Sequence, residues 1–391
     1  MNDMKNKYDL IIVGGGIMAS SLAYNLLNDG YTGDIAIFEK DKQHEFSSTP
    51  RSEGGIRQTF TTEINIKMSQ YSFQVYKRFE EEMATDDEAA HIDFKQYGYL
   101  YLANEKTLPM YKEIKKLQEK LAVNVQILNN EEVLNIIPEL NVDDLAGGVF
   151  DYDAGNIDPY SVLQLYTKNA KKLGATYIYE EVERFLSEKN KITGIRLTTG
   201  EVIHAPIVVN AAGAWSGELS KTAGIELPVK PLKRQLFSID TAIPFKNVLP
   251  LTFDPTGVHF RSEGPSIVVG YGNDVPFGFD YKLSRAFFEE EIWPVLAARA
   301  KNFEQLKMEK GWAGLYDFNY KDQNAIISGH SQMEGYYMIT GFSGHGFQHA
   351  PAAGKGLSEL IRLGRFETID MSVLSAERFT KNELILETVV L

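Results

Sequence analysis

Residues 8–30, YDLIIVGGGIMASSLAYNLLNDG, decide how the chain begins to fold. The run Leu10 to Val13 is apolar without alternation, as in a strand buried on both faces. Three glycines follow, and then Ile17, Leu22, Leu26 and Leu27 recur at helical spacing. A second apolar strand, DIAIFEK (34–40), comes next. Strand, glycine turn, helix and strand together form the unit that binds a dinucleotide at a helix N-terminus. Gly14 is expected to allow the tight turn, Gly16 to admit a pyrophosphate, and Ala19 to let helix and strand pack closely. Glu39 ends the second strand twenty residues after Ala19. A carboxylate there accepts hydrogen bonds from both ribose hydroxyls and repels a 2′-phosphate. The unit alone leaves NAD and FAD open.

The rest of the composition narrows the class. At 391 residues the chain is about twice a typical domain, so two cores or one large composite are expected. A formal charge of −13 argues against nucleic acid, whose phosphates need a basic partner surface. The absence of cysteine excludes disulfides, thiolate chemistry and cysteine-ligated iron–sulfur clusters. Leu10 to Val13 is too short for a signal peptide or a membrane span, and the later run APIVVNAAGAW is too short as well. No membrane span and a cytoplasmic location are expected.

After Glu39 a NAD dehydrogenase would continue with alternating strands and helices. This chain instead enters the loop FSSTPRSEGGIRQTF (46–60), a helix from Thr62 to about Met83, and a strand IDFKQYGYLYLA (92–103). A meander follows over ATYIYEEVERFLSE, KITGIRLTTG and EVIHAPIVVNAAGAWS. Its last strand ends in Ala211, Ala212 and Gly213, small enough to approach the first glycine turn. The segment YYMITGFSGHGFQHAPAAGKGLSELI (336–361) gives another strand, glycine turn and helix. His345 and His349 stand four apart, as two zinc ligands on a helix would. Gly346, Phe347 and Gln348 between them supply no glutamate, and no third ligand is evident, so no metal is expected.

The stretches DLIIVGGGIMASSLA, GGIR, DYDAGNIDP, VVNAAGAWS, GWAGLYDFNYKDQNAIISG and GFSGHGFQHAPAAGKGL run in order from residue 8 to about 363. On these the sequence resembles the FAD-dependent D-amino-acid oxidase-like oxidoreductases, and within them the sarcosine oxidase and glycine oxidase branch. The resemblance implies an α/β (α+β composite) fold. A Rossmann-type FAD-binding domain would comprise residues 1–84, 148–224 and 322–391. An inserted, largely antiparallel-sheet substrate domain would comprise 85–147 and 225–321. It implies FAD held without a covalent bond, since Gly314 stands where sarcosine oxidase has its flavin-bonded cysteine. The cofactor contacts would be Gly14, Gly16, Ala19, Glu39, Lys40, Ser47, Ser48, Gly54, Gly55, Val182, Ala212, Gly213, Trp215 and Gly314. The turn Gly341, Ser343, Gly344, His345, Gly346, Phe347 and Gln348 would complete them. In that turn the backbone itself must touch the ring, and N–H groups at a helix N-terminus favour the negative charge of reduced flavin. His345 is expected to pack and hydrogen-bond within the turn, and His349 to cap or line the helix.

On the substrate side, the resemblance matches Arg57 in GGIR to an arginine that binds a carboxylate bidentately. Arg261 is a second candidate, and Gln348 replaces a second carboxylate-binding lysine. Val268 replaces the lysine that promotes reaction with oxygen. Tyr97, Tyr99 and Tyr271 are expected in the core. The implied function is oxidation of the C–N bond of a small amino acid or an N-methyl or secondary amino acid, of sarcosine, glycine or proline type, by hydride transfer to flavin N5. One alternative is a 2-hydroxy-acid dehydrogenase with His259 as base. Another is a flavin-binding subunit or assembly factor of a larger dehydrogenase. The expected partner is a small carboxylate-bearing amine. Homo- or hetero-oligomerisation and the electron acceptor stay open.

Overall fold

The strand Leu10–Val13 pairs in parallel with Ile35–Phe38 on one side and with Ile207–Asn210 on the other. This is seen in a computed structural model that describes residues 4–85, 89–273 and 275–387. The sheet built on that strand has nine strands. Its path runs Val202–His204, Lys191–Leu197, Met333–Thr340, Ile207–Asn210, Leu10–Val13, Ile35–Phe38, Thr176–Ile178, with Val182–Glu188 and Ile326–His330 attached. Alternate residues of the central strand serve two cores, which is why its sequence is apolar throughout. Leu10 and Ile12 pack with Leu22 and Leu26 of the helix Ile17–Asn28 and with Leu357 of the helix Gly346–Leu363. Ile11 and Val13 pack with Phe185, Val208 and Tyr336 on the other face. Each fully buried leucine there contributes about 1.5–3 kcal/mol.

The second sheet has eight strands. They run in the order Leu306–Asn319, Val229–Thr241, Ser266–Tyr271, Val258–Glu263, Leu251–Phe253, Tyr99–Ala103, Gly147–Asp151, Val125–Leu128. Every pairing is antiparallel except that of Leu251–Phe253 with Tyr99–Ala103. Because Gly147–Asp151 pairs with Tyr99–Ala103, it belongs to this sheet. The boundary expected at 148 therefore moves past Asp151. The misplacement has a simple source: the apolar run GGVFD abuts the DYDAGNIDP stretch of the other half.

Local signals explain the remaining elements that place the site. Thr62, in extended conformation, starts the helix Glu63–Met83, which buries Ile64, Met68, Phe73, Tyr76 and Phe79. The expected strand 92–103 is regular only over Tyr99–Ala103, since Gly98 at φ 79° interrupts the extended chain. At the first glycine turn, Gly14 has φ 101°, and a Cβ there would stand 2.4 Å from the carbonyl oxygen of Ala211. The small residues after Asn210 do approach that turn, and no other residue type fits between them.

Candidate active site

A cavity of about 460 Å³ is lined by the ends of the first sheet and by one face of the second. At one end stand Glu39, Lys40, Val182 and Trp215. The Glu39 carboxylate is fixed by two backbone donors, Gly15 N–H at 2.6 Å and Asp41 N–H at 2.8 Å. Lys40 Nζ lies 3.9 Å from the centre of the Trp215 ring and 3.6 Å from Glu181. Ser47 Oγ pairs with His44 Nδ1 at 3.1 Å, and Ser48 Oγ donates to the carbonyl of Leu315.

Two helix N-termini open into the middle of the cavity. The helix Ile17–Asn28 begins after Gly16 and the helix Gly346–Leu363 after His345; neither N-cap residue bonds its helix through a side chain, although Thr49 Oγ1 accepts from Ile17 N–H at 3.3 Å. Such ends favour anionic groups through their N–H donors and their dipoles. The second turn requires glycine: Gly344 has φ 100°, and a Cβ there would meet the Tyr316 ring at 2.4 Å. Asp317 holds the turn from behind, accepting from Gly341 N–H at 2.7 Å and Phe342 N–H at 3.1 Å. Burial pushes its carboxyl up to about 6, against the pull of those donors.

Several residues expected at the cofactor stand behind the wall instead. Ala19 is fully buried in the helix–sheet core, the packing role expected of it. Gly54 faces Ile157, whose N–H donates to its carbonyl. Gly341 and Ser343 shape the turn from its far side, the Ser343 Oγ accepting from Asn319 N–H at 2.9 Å. Gly55, Ala212, Gly213, Gly314, Gly344, Gly346 and Phe347 line the cavity.

The two histidines depart from expectation in part. Both ring nitrogens of His345 are buried with no hydrogen bond among the described residues. The ring packs against Phe60 and His349, at centroid distances of 5.4 and 5.1 Å. Burial and the Arg57 charge press its pKa down to about 3, so it is neutral. His349 caps nothing; it lies inside the helix with Nε2 2.8 Å from Ser69 Oγ. Among the described residues no group of His, Cys, Asp and Glu could hold a metal ion.

Arg57 lines the cavity next to this turn, 5% exposed. Its Nη1 donates to the carbonyl of Thr59, its guanidinium lies 3.9 Å from the Phe60 ring centre, and its backbone N–H donates to Gln348 Oε1 at 2.9 Å. Gln348, expected beside the substrate, thus also holds the chain at Arg57. Arg261 does not reach the cavity wall. Its Nη2 donates to the Glu53 carbonyl at 2.9 Å, Nη1 pairs with Glu263, and Nε lies 3.7 Å from Glu53 Oε1. A guanidinium so occupied by carboxylates is not a second substrate clamp. His259 lines the cavity with Nε2 3.3 Å from Glu53 Oε2. Burial alone would raise the Glu53 carboxyl, but His259 and Arg261 outweigh it and hold it below the usual carboxylate range.

Sequence reasoning missed Glu53, Arg234, Tyr316 and Asp317. The signal for Glu53 was period two, because Glu53, Gly55 and Arg57 alternate onto the wall around the short strand Gly55–Ile56. Arg234 lines the wall 5.5 Å from the Tyr316 ring. Of the three tyrosines expected in the core, Tyr99 and Tyr271 line the cavity and Tyr97 is 42% exposed. Val268 is buried and set back from the wall.

A family model described as FAD dependent oxidoreductase matches residues 9–360. The chain belongs to that family. It is 32% identical to FAD-dependent oxidoreductase domain-containing protein 1 of Bos taurus, over 95% of this chain and 84% of that protein. It is 27% identical to the mitochondrial dimethylglycine dehydrogenase of Mus musculus, over 97% of this chain and 45% of that protein. In three dimensions it resembles L-proline dehydrogenase from P. horikoshii, with a TM-score of 0.87, 28% identity, and coverage of 98% of this chain and 100% of that one. The cofactor of the family is FAD, and the residues present fit it. Glu39 is oriented for a ribose, two helix N-termini face the cavity, and a glycine turn leaves the backbone bare. No helix among the described residues is long and apolar enough to cross a membrane.

Proposed function

We propose that this FAD-dependent oxidoreductase oxidises the C–N bond of a small amino acid or an N-methyl or secondary amino acid. The observation that carries the reading is Arg57, a permanently charged fork buried in the cavity wall beside the glycine turn. A carboxylate matches that fork bidentately, and Lys would not reproduce it. Bound FAD supplies the acceptor for a hydride. Arg57 holds the substrate's carboxylate and so orients its α-carbon, while Leu251, Phe253 and Tyr271 on the facing sheet exclude water. As a hydride leaves a neutral amine, positive charge develops at nitrogen. Glu53, kept ionised on the same wall, is placed to favour that charge. The likeness to L-proline dehydrogenase and dimethylglycine dehydrogenase supports an amine of this size.

One observation favours a second reading, oxidation of a 2-hydroxy acid. That reaction needs a base for the hydroxyl proton, and His259 oriented by Glu53 at 3.3 Å would be one. Turnover with an artificial dye acceptor separates the two. At least one of proline, sarcosine and glycine should reduce the dye and yield imine or its hydrolysis product, whereas reduction by 2-hydroxy acids alone would overturn the amine reading.

A further inference from the structure

Glu387 is fully buried, and the residues it approaches lie more than three hundred positions away along the chain. Its carboxylate accepts from Thr61 N–H at 3.0 Å, Thr61 Oγ1 at 2.6 Å, Thr62 N–H at 3.2 Å, Thr62 Oγ1 at 3.0 Å and Asn65 Nδ2 at 3.1 Å. These donors come from the N-cap Thr62, from Thr61 before it and from Asn65 in the first turn of the helix Glu63–Met83, an end where the dipole favours a negative charge. The segment that carries Glu387 is bolted down independently. Glu387 N–H and Ile385 N–H donate to Asp322 at 3.2 Å each, and Arg378 clamps the same Asp322 at 2.7 Å.

What this anchor holds is the base of Arg57. The Arg57 guanidinium rests on the carbonyl of Thr59 and on the ring of Phe60, the two residues that precede Thr61. Thr59 Oγ1 is in turn tied to Tyr101 OH at 3.0 Å. If Thr61 and Thr62 shift, the support under the guanidinium shifts with them. We propose that Glu387 is a positioning residue for Arg57, so that the segment 383–387, remote in sequence, sets how tightly the site holds a carboxylate. The inference rests on the reading of Arg57 as the carboxylate-binding residue.

The test measures binding of pyrrole-2-carboxylate, whose α-carbon has no hydride to give, by the change it makes in the visible spectrum of the FAD-loaded protein. Four variants are compared with the unaltered chain: Glu387→Ala, Thr61→Val, Arg57→Ala and Glu359→Ala. Glu359 is the control, a buried carboxylate that also ties down a loop, accepting from Glu367 N–H at 2.8 Å and Thr368 N–H at 3.0 Å, away from the cavity wall. Glu387→Ala should keep its flavin and raise Kd roughly three- to thirtyfold, the size of coupling that a hydrogen-bonded network carries to a site it does not touch. Thr61→Val should raise Kd by a smaller factor, and provides the answer if the alanine variant does not fold. Glu359→Ala should lower thermal stability and leave Kd unchanged. An unchanged Kd in Glu387→Ala or, if that fails to fold, in Thr61→Val, beside a raised Kd in Arg57→Ala, overturns the inference. An unchanged Kd in Arg57→Ala overturns the reading of Arg57 itself.

Discussion

The side-chain oxygen of Gln348 accepts the backbone N–H of Arg57 at 2.9 Å, across 291 residues of sequence. One bond thereby joins the first turn of the helix Gly346–Leu363 to the residue that follows the strand Gly55–Ile56 and carries the charged fork. The two parts of the site that must agree in position, ring side and carboxylate side, are tied to each other directly.

Gln348→Ala removes that lock and leaves a buried N–H without its acceptor. The expected cost is about 1–3 kcal/mol of stability, with weaker carboxylate binding than in the unaltered chain but stronger than in Arg57→Ala. Chemical denaturation of the loaded protein and titration with an unreactive carboxylate give both numbers.

Arg57→Ala should keep its yellow colour and lose about 2–5 kcal/mol of substrate binding, because a carboxylate is left in a buried site without its partner. Arg57→Lys should recover little, since a point charge does not reproduce the fork. Loss of flavin in the alanine variant, seen as colourless purified protein, would reassign Arg57 to the cofactor.

FAD should be held without a covalent bond. The chain has no cysteine to form a thioether, and Gly314 faces the cavity at the position of interest. Acid precipitation should send the colour into the supernatant. Glu39→Ala should weaken FAD by about 1.5–3 kcal/mol, the worth of hydrogen bonds to a charged group, and Gly15 N–H and Asp41 N–H lose their acceptor at the same time.

Asp317 makes a pH prediction. Its carboxyl titrates near 6 when folded, against 3.8 when unperturbed. The folded state therefore holds a proton that the unfolded state has released between those values, and the stability this group contributes is lost as pH rises from about 3.8 through about 6. Asp317→Asn does not titrate. Relative to the unaltered chain it should gain about 3 kcal/mol across that window. Unfolding midpoints of both proteins measured from pH 4 to 7 check the slope of the difference.

Much of the architecture was legible because it rests on local rules. The uninterrupted apolar run Leu10 to Val13 required burial on both faces, and Gly14 and Ala211 had to be small because two backbones meet there. The site was less legible, for physical reasons. Arg261 and Arg57 look alike in sequence, but only the fold shows that Glu53 and Glu263 already occupy Arg261. His345 reads as a hydrogen-bonding residue, yet both its ring nitrogens are buried without a hydrogen bond among the described residues, the ring packed on Phe60 and His349. Asp317 and Glu387 act through backbone N–H groups distant in sequence, and no spacing rule connects them.

The central claim is that this site takes a hydride from a carbon bonded to the nitrogen of an amine that also bears a carboxylate. Anaerobic mixing of the FAD-loaded protein with proline, sarcosine, glycine and the corresponding 2-hydroxy acids tests it, with the flavin band at about 450 nm as reporter. The account predicts bleaching by at least one of the amines, none by the hydroxy acids, and an Arg57→Ala variant that needs far more amine to bleach. Bleaching by the hydroxy acids alone, or bleaching by an amine at the same concentration in Arg57→Ala, would contradict it.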